Sequence, residues 1–202
     1  MKLYYTKGAC SLAVRIIINE LEIPCEYESV DLATKKTENS KDFLQINPKG
    51  GVPTIELDDG HILTENAVIQ QYLADTHSEK KLLPSINDFE RYHTLEWLNY
   101  VATELHKGFS PLFNSKLPQE IKDELFIPML QKKFAYVDKH LQQNKYLLGK
   151  HFTLPDGYLF VMLLWANKFK LDLSKFANIS QYYQHMRERP AIMKSLKEEH
   201  LV

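Results

Sequence analysis

The chain has 202 residues, 44% of them hydrophobic, with 25 Lys and Arg against 26 Asp and Glu and a formal net charge of −1. This near balance gives no electrostatic ground for binding nucleic acid or an anionic membrane. No apolar run reaches the roughly 18 residues that span a bilayer. Met1 leads into a strand-like segment rather than a signal sequence, so a cytoplasmic protein of one large or two small domains is expected.

Met1-Lys2-Leu3-Tyr4-Tyr5 is short, aromatic and suited to a buried strand. Leu12, Val14, Arg15, Ile16, Ile17, Ile18 and Leu21 read as a helix that buries most of its circumference. Between them Thr6-Lys7-Gly8-Ala9-Cys10-Ser11 must turn, and Gly8 is the break that permits it. Cys10 therefore falls at the helix start, where unpaired N–H groups and the positive dipole end favour a thiolate. Lys7 adds charge nearby. Position alone leaves two readings, a reactive thiol or a small apolar side chain at a packed corner. The other cysteine, Cys25, is too far along the helix for a disulfide at about 1.5 Å per residue, and reads as a packing residue. The eight histidines show no ligand-like clustering with cysteine, so no metal site is expected.

Residues 26–30 alternate as a strand and complete a β-α-β unit. Residues 31–39 read as a polar loop carrying Lys35 and Lys36, and Asp42 to Ile46 as a short helix. Asn47-Pro48-Lys49-Gly50-Gly51 then leads to two short strands, Val52 to Leu57 and His61 to Thr64, joined by Asp58-Asp59-Gly60. Pro53 suits an edge or a functional break, because proline cannot donate to a ladder. A helix opens at Glu65, with Val68, Ile69, Tyr72 and Leu73 on its apolar face. The pattern β-α-β-α-β-β-α is that of a thioredoxin-like sheet, and the polar stretch from Asp75 to Pro84 marks the domain boundary.

The remainder carries no strand signal. From Asp88 to Phe109 a core stripe (Leu95, Leu98, Ala102, Leu105, Phe109) runs beside a polar row, Glu96, Asn99, Thr103 and His106. Polar groups flanking a buried stripe suit either a cleft or a solvated flank. Residues 119–141 form another amphipathic helix. Thr153 and Asp156 make a capping box, although Gly157 leaves Phe152 without a hydrophobic staple partner. Tyr158 to Trp165 is apolar on nearly every side, as a central helix should be. Tyr182 to Met186 and Ala191 to Leu196 complete the bundle, with Pro190 starting the last helix.

Six of these segments, in order, resemble those of a glutathione transferase and more narrowly of the bacterial beta class. They are Lys7-Gly8-Ala9-Cys10-Ser11-Leu12, Asn47-Pro48-Lys49-Gly50 leading to Val52-Pro53, Leu63-Thr64-Glu65-Asn66, Glu96-Trp97-Leu98-Asn99-Tyr100, Thr103-Glu104-Leu105-His106-Lys107-Gly108 and Phe152-Thr153-Leu154-Pro155-Asp156. The resemblance covers essentially the whole chain. It implies a two-domain α+β fold, with a thioredoxin-like α/β domain over 1–80 that binds glutathione and an all-α helical domain over 87–202. It further implies a homodimer, glutathione as co-substrate with no other cofactor, and a small hydrophobic electrophile as second substrate. That electrophile would lie among Phe109, Pro111, Leu112, Phe113 and the Tyr158–Trp165 helix.

The resemblance also implies roles for individual residues. Val52, before a cis Pro53, would pair with glutathione's peptide as an added strand. Glu65 and Asn66, at a helix N-terminus, would meet the γ-glutamyl ammonium and carboxylate, and Lys35 the glycyl carboxylate. Asn99, Thr103 and Glu104 would also reach glutathione, Glu104 that of the neighbouring subunit; an ion pair with Lys107 is the alternative for Glu104. The catalytic pair implied is Cys10 and His106, with Lys107 close by, while Tyr5 and Ser11 are rival activators. Cys10 could form a mixed disulfide with glutathione, which would suit thiol–disulfide or peroxide chemistry. The competing reading is a non-catalytic ligand-binding or interaction protein on the same fold.

Overall fold

The computed structural model describes residues Met1–Val202. Strand β1 (Lys2–Tyr5) is buried at both central positions, Leu3 and Tyr4, whose side chains point to opposite faces of a sheet. Both faces must therefore be covered. Tyr4 packs with Val30 and Phe43, flanked by Ile46 and Val52. Helices α1 (Ser11–Glu20) and α2 (Asn66–Thr76) pack against each other and against the strands. Strand β2 (Glu26–Asp31) runs parallel to β1. Strands β4 (Thr54–Glu56) and β5 (Ile62–Thr64) form the expected hairpin, antiparallel beside β1.

The sheet order is β3-β2-β1-β4-β5, and β3 (Lys36–Thr37) lies where the sequence suggests only a loop. The cause is local. Asp31 Oδ1 accepts the N–H groups of Ala33 and Thr34 at 2.8 and 3.2 Å, a turn that brings Lys36 back beside Asp31. Two residues are too few to show a period.

The chain divides into two compact units, Met1–Lys81 with Arg189–Val202, and Leu82–Glu188. The first boundary lies within the polar stretch noted above. The C-terminus differs from expectation, because α9 (Pro190–Glu198) packs on α1 instead of joining the helical unit. Arg15 supplies the reason. It is 2% exposed on a helix whose neighbouring residues are apolar, and a buried guanidinium needs partners. Glu199 Oε1 accepts from its Nε at 3.0 Å and Glu198 from its Nη1 at 3.3 Å. The guanidinium also lies 3.7 Å from the Tyr27 ring centroid and 4.4 Å from that of Tyr5. Arg189 makes a forked pair with Glu20 at 2.8 Å, closing the far end of the same contact.

The second unit is helical: α3 (Glu90–Tyr100), α4 (Lys107–Phe113), α5 (Gln119–Ile121), α6 (Ile127–Leu141), α7 (Leu154–Lys168) and α8 (Ala177–Arg187). Helix α7 is central, as its composition requires, and starts with the predicted capping box. The long helices expected from periodicity are present but interrupted by π-helical turns, Val101–His106 between α3 and α4 and Lys122–Phe126 between α5 and α6. A π turn adds a residue, yet the predicted apolar stripe carries across the first of them, with Leu98, Leu105 and Phe109 all buried.

Candidate active site

Cys10 is the residue before α1 and is 8% exposed. Gly8, at φ 66°, makes the left-handed turn that aims the chain from β1 into that helix. The Cys10 thiol lies 3.3 Å from the carbonyl of Val52 and donates to it. Val52 and Pro53 are joined by a cis peptide bond, so the cysteine and the proline-bent segment meet although 42 residues separate them. Of the rival hydroxyls, Ser11 is fully buried and exchanges hydrogen bonds with the backbone of Thr6 at 3.3 Å. The Tyr5 ring lies against the Arg15 guanidinium and edge-on to Tyr27.

The start of α2 forms the other side of this corner. Asn66 is its first residue and donates from Nδ2 to the Cys10 carbonyl at 2.7 Å. Glu65 precedes it at φ 74°, an uncommon conformation for a residue with a side chain and one that clusters at functional sites. Its exposed carboxylate accepts from Lys49 Nζ at 2.6 Å, and Lys49 also donates to Thr64 Oγ1 at 2.8 Å. Lys35, also left-handed at φ 57°, donates to the carbonyl of Gly50 at 2.8 Å. The first unit thus brings Cys10, Val52, Pro53 and Asn66 together, with Glu65 adjacent and Lys35 on the Gly50 loop.

In the second unit Thr103, Glu104 and His106 all lie in the π turn, which is itself a common marker of function and has no signature in residue spacing. Asn99, Thr103, Glu104 and Lys107 are exposed, and Thr103 Oγ1 donates back to the Asn99 carbonyl at 3.0 Å. Glu104 pairs with Lys133 at 3.0 Å, not with Lys107. His106 turns inward. Its Nδ1 lies 2.5 Å from the Tyr158 hydroxyl, and its ring meets that of Trp165 at 5.1 Å. Phe109 and Leu112 go into the core, whereas Phe113, 45% exposed, stands edge-on over Trp165 at 4.7 Å. Tyr158, Lys49 and Lys133 are the partners that sequence spacing could not identify.

Burial, assisted by the charge of Lys107, lowers the His106 pKa from the usual 6.5 to about 4. The imidazole is therefore neutral at pH 7, and one ring nitrogen carries a proton that it can donate. Between pH 6.5 and 4 the unfolded chain binds this proton and the fold does not. The contribution is complete above 6.5 and is lost as pH falls through about 4. Urea titrations of the parent and His106→Gln should show their stability difference shift by at most about 3 kcal/mol in that window, to the parent's disadvantage at low pH. A constant difference would mean that His106 is not held neutral.

The family model described as the glutathione S-transferase N-terminal domain matches residues 8–76, and that for the C-terminal domain matches residues 100–190. The chain is 46% identical over 201 residues to glutathione S-transferase GstA of Escherichia coli O157:H7, covering 100% of both. Among solved structures it resembles a sphingomonad glutathione S-transferase complexed with glutathione, at 37% identity, a TM-score of 0.95 and 100% coverage of both chains. It also resembles the bacterial beta class glutathione S-transferase of Sphingomonas chungbukensis, at 38% identity, a TM-score of 0.96 and 100% coverage of both.

Proposed function

This chain belongs to the glutathione S-transferase family, in its bacterial beta class, and from that premise we propose that it joins glutathione to small, mostly apolar electrophiles, with thiol–disulfide exchange through Cys10 beside it. The observation that carries this reading is the Cys10 thiol against the Val52 carbonyl at the head of α1. A peptide paired with the Val52 backbone as an added strand would present its cysteinyl sulfur to Cys10. The N–H groups at the start of α2 suit the γ-glutamyl carboxylate. Glu65 already holds one cation, Lys49, and would exchange it for the γ-glutamyl ammonium. Lys35 would leave the Gly50 carbonyl for the glycyl carboxylate.

In conjugation the glutathione thiolate attacks the electrophilic carbon, a C–S bond forms and the leaving group departs with its electron pair. A thiol of pKa about 8.5 is mostly protonated at pH 7, so the site must favour the anion. The start of α1 does so through its N–H groups and dipole. In the family reading His106, being neutral, would serve as an N–H donor to the thiolate rather than as a strong base. Lys107 would add positive charge, Asn99 and Thr103 would meet the bound glutathione, and Glu104 would reach that of the neighbouring subunit. In exchange, the Cys10 thiolate attacks the glutathione sulfur of a mixed disulfide, forming Cys10–S–S–glutathione and expelling the other thiolate. A second glutathione thiolate then releases oxidised glutathione and restores Cys10.

The second unit exposes Ile86, Phe89, Tyr92, Met129 and Tyr136, a hydrophobic set that suits a second copy of the chain and a homodimer. No helix is long and apolar enough to cross a membrane, in keeping with a cytoplasmic enzyme. The purified protein should be retained on immobilised glutathione and should conjugate an aryl halide. Failure of both overturns the reading, and an intact dimer that binds glutathione only weakly would make it a ligand-binding module instead.

A further inference from the structure

We propose that Gln70, acting through Asn66, sets the spacing of the two helix starts that meet glutathione, and is a positioning residue for its transfer; this rests on the glutathione reading above. Helices α1 and α2 begin at one corner, with Cys10 preceding the first and Glu65 the second, and neither residue caps its helix with a side-chain hydrogen bond. Each start carries a partial positive charge from the aligned peptide dipoles, although at α1 the Leu12 and Ala13 N–H groups are already held by the carbonyls of Ala9 and Cys10 at 3.1 Å. Two such ends repel, so their approach has to be held. Asn66 holds it, by the 2.7 Å bond from its Nδ2 to the Cys10 carbonyl.

That bond determines the rest of the chain of contacts. A carbonyl only accepts, so the Asn66 nitrogen must face Cys10 and its Oδ1 must face the other way. There it accepts from Gln70 Nε2 at 2.6 Å, four residues on along α2. Neither amide can be flipped without setting two like groups against each other. The direction from Gln70 to Asn66 to Cys10 is thus forced by the backbone carbonyl at its end.

Gln70 is 0% exposed, and its remaining atom, Oε1, has no hydrogen-bond partner. An orphaned buried acceptor costs about 1–3 kcal/mol. Methionine would fill the same space without it, so folding alone does not favour an amide here. What the amide supplies is the donated hydrogen that prevents Asn66 from rotating. In the proposed complex the thiolate lies at the start of α1 and the γ-glutamyl carboxylate at the start of α2. The strut between these starts therefore sets the distance between two anion-binding ends that one ligand must satisfy together.

Gln70→Met removes the donor and keeps the volume. It exchanges one orphaned oxygen, Gln70 Oε1, for another, Asn66 Oδ1, so the thermal midpoint should stay close to that of the parent. The KM for glutathione should rise about tenfold, equivalent to about 1.4 kcal/mol, while the KM for an aryl halide stays put. Independently of glutathione, the pH midpoint for alkylation of Cys10 by iodoacetamide should move up, because the helix start is no longer pinned beneath the sulfur. Cys25 does not interfere, since burial pushes its thiol up to about 11. Gln70→Asn, polar but one methylene too short to reach, should behave as Gln70→Met does and serves if that variant folds poorly. A folded variant with both the glutathione KM and the Cys10 midpoint unchanged overturns the strut, as does a fall in thermal midpoint accompanied by equal rises in both KM values. A parent that fails to bind glutathione overturns the functional reading, and the alkylation midpoint then still decides the strut.

Discussion

Asp156→Ala is expected to destabilise the protein by about 3–5 kcal/mol, the range for removing one partner from a buried charged network. The carboxylate is fully buried and serves three segments of the second unit at once. Oδ2 accepts the Thr153 N–H at 2.8 Å and the Thr153 hydroxyl at 3.0 Å, which closes the start of α7. Oδ1 accepts the Leu147 N–H at 2.9 Å and the Tyr182 hydroxyl at 3.0 Å, which ties in the preceding loop and α8. Alanine removes the acceptor of the two backbone N–H groups and the Thr153 hydroxyl in a place water does not reach, and leaves the Tyr182 hydroxyl only its longer bond to the residue 156 carbonyl at 3.3 Å. Thr153→Ala should cost only about 1 kcal/mol, the ordinary scale of a lost cap. Urea unfolding with an unchanged slope would give both values. A loss below 1 kcal/mol for Asp156→Ala would show that the network is not holding these segments together.

Cys10→Ala is expected to reduce glutathione-dependent reduction of mixed disulfides by at least about 100-fold, because the covalent intermediate has no other sulfur on which to form. Conjugation should fall less than about tenfold, since glutathione brings its own thiol and the start of α1 remains. The Ser11 hydroxyl is buried and tied to the Thr6 backbone, which takes it out of contention, and a Tyr5→Phe control isolates the other hydroxyl. Measuring both reactions on one preparation separates the roles, and equal loss of the two would make Cys10 the activator of glutathione as well as its redox partner.

These two predictions differ in how far the sequence reaches them. The Thr153–Asp156 box spans three residues and follows from spacing alone, whereas the Leu147 and Tyr182 bonds that enlarge the effect do not. Cys10 at a helix start is equally local: an aromatic strand, a glycine and an apolar helix leave it no other place. Its contact with Val52 depends on β4 pairing with β1, and a thiol read without that partner fits packing as well as chemistry. The polar row Glu96, Asn99, Thr103 and His106 shows how a local reading falls short. It assumes 3.6 residues per turn, while the backbone from Val101 to His106 is π-helical and His106 turns onto Tyr158. The thioredoxin-like order and the helical second unit were legible in the chain, because hydrophobic period, glycine, proline and caps act over one to four residues, whereas the residues proposed to meet glutathione came from resemblance to the family. The placement of α9 against Arg15, the neutrality of His106 and the strut from Gln70 to Cys10 were decided only by tertiary structure. Each depends on which distant group shares a dry site with a polar one, and burial, not spacing, makes that choice.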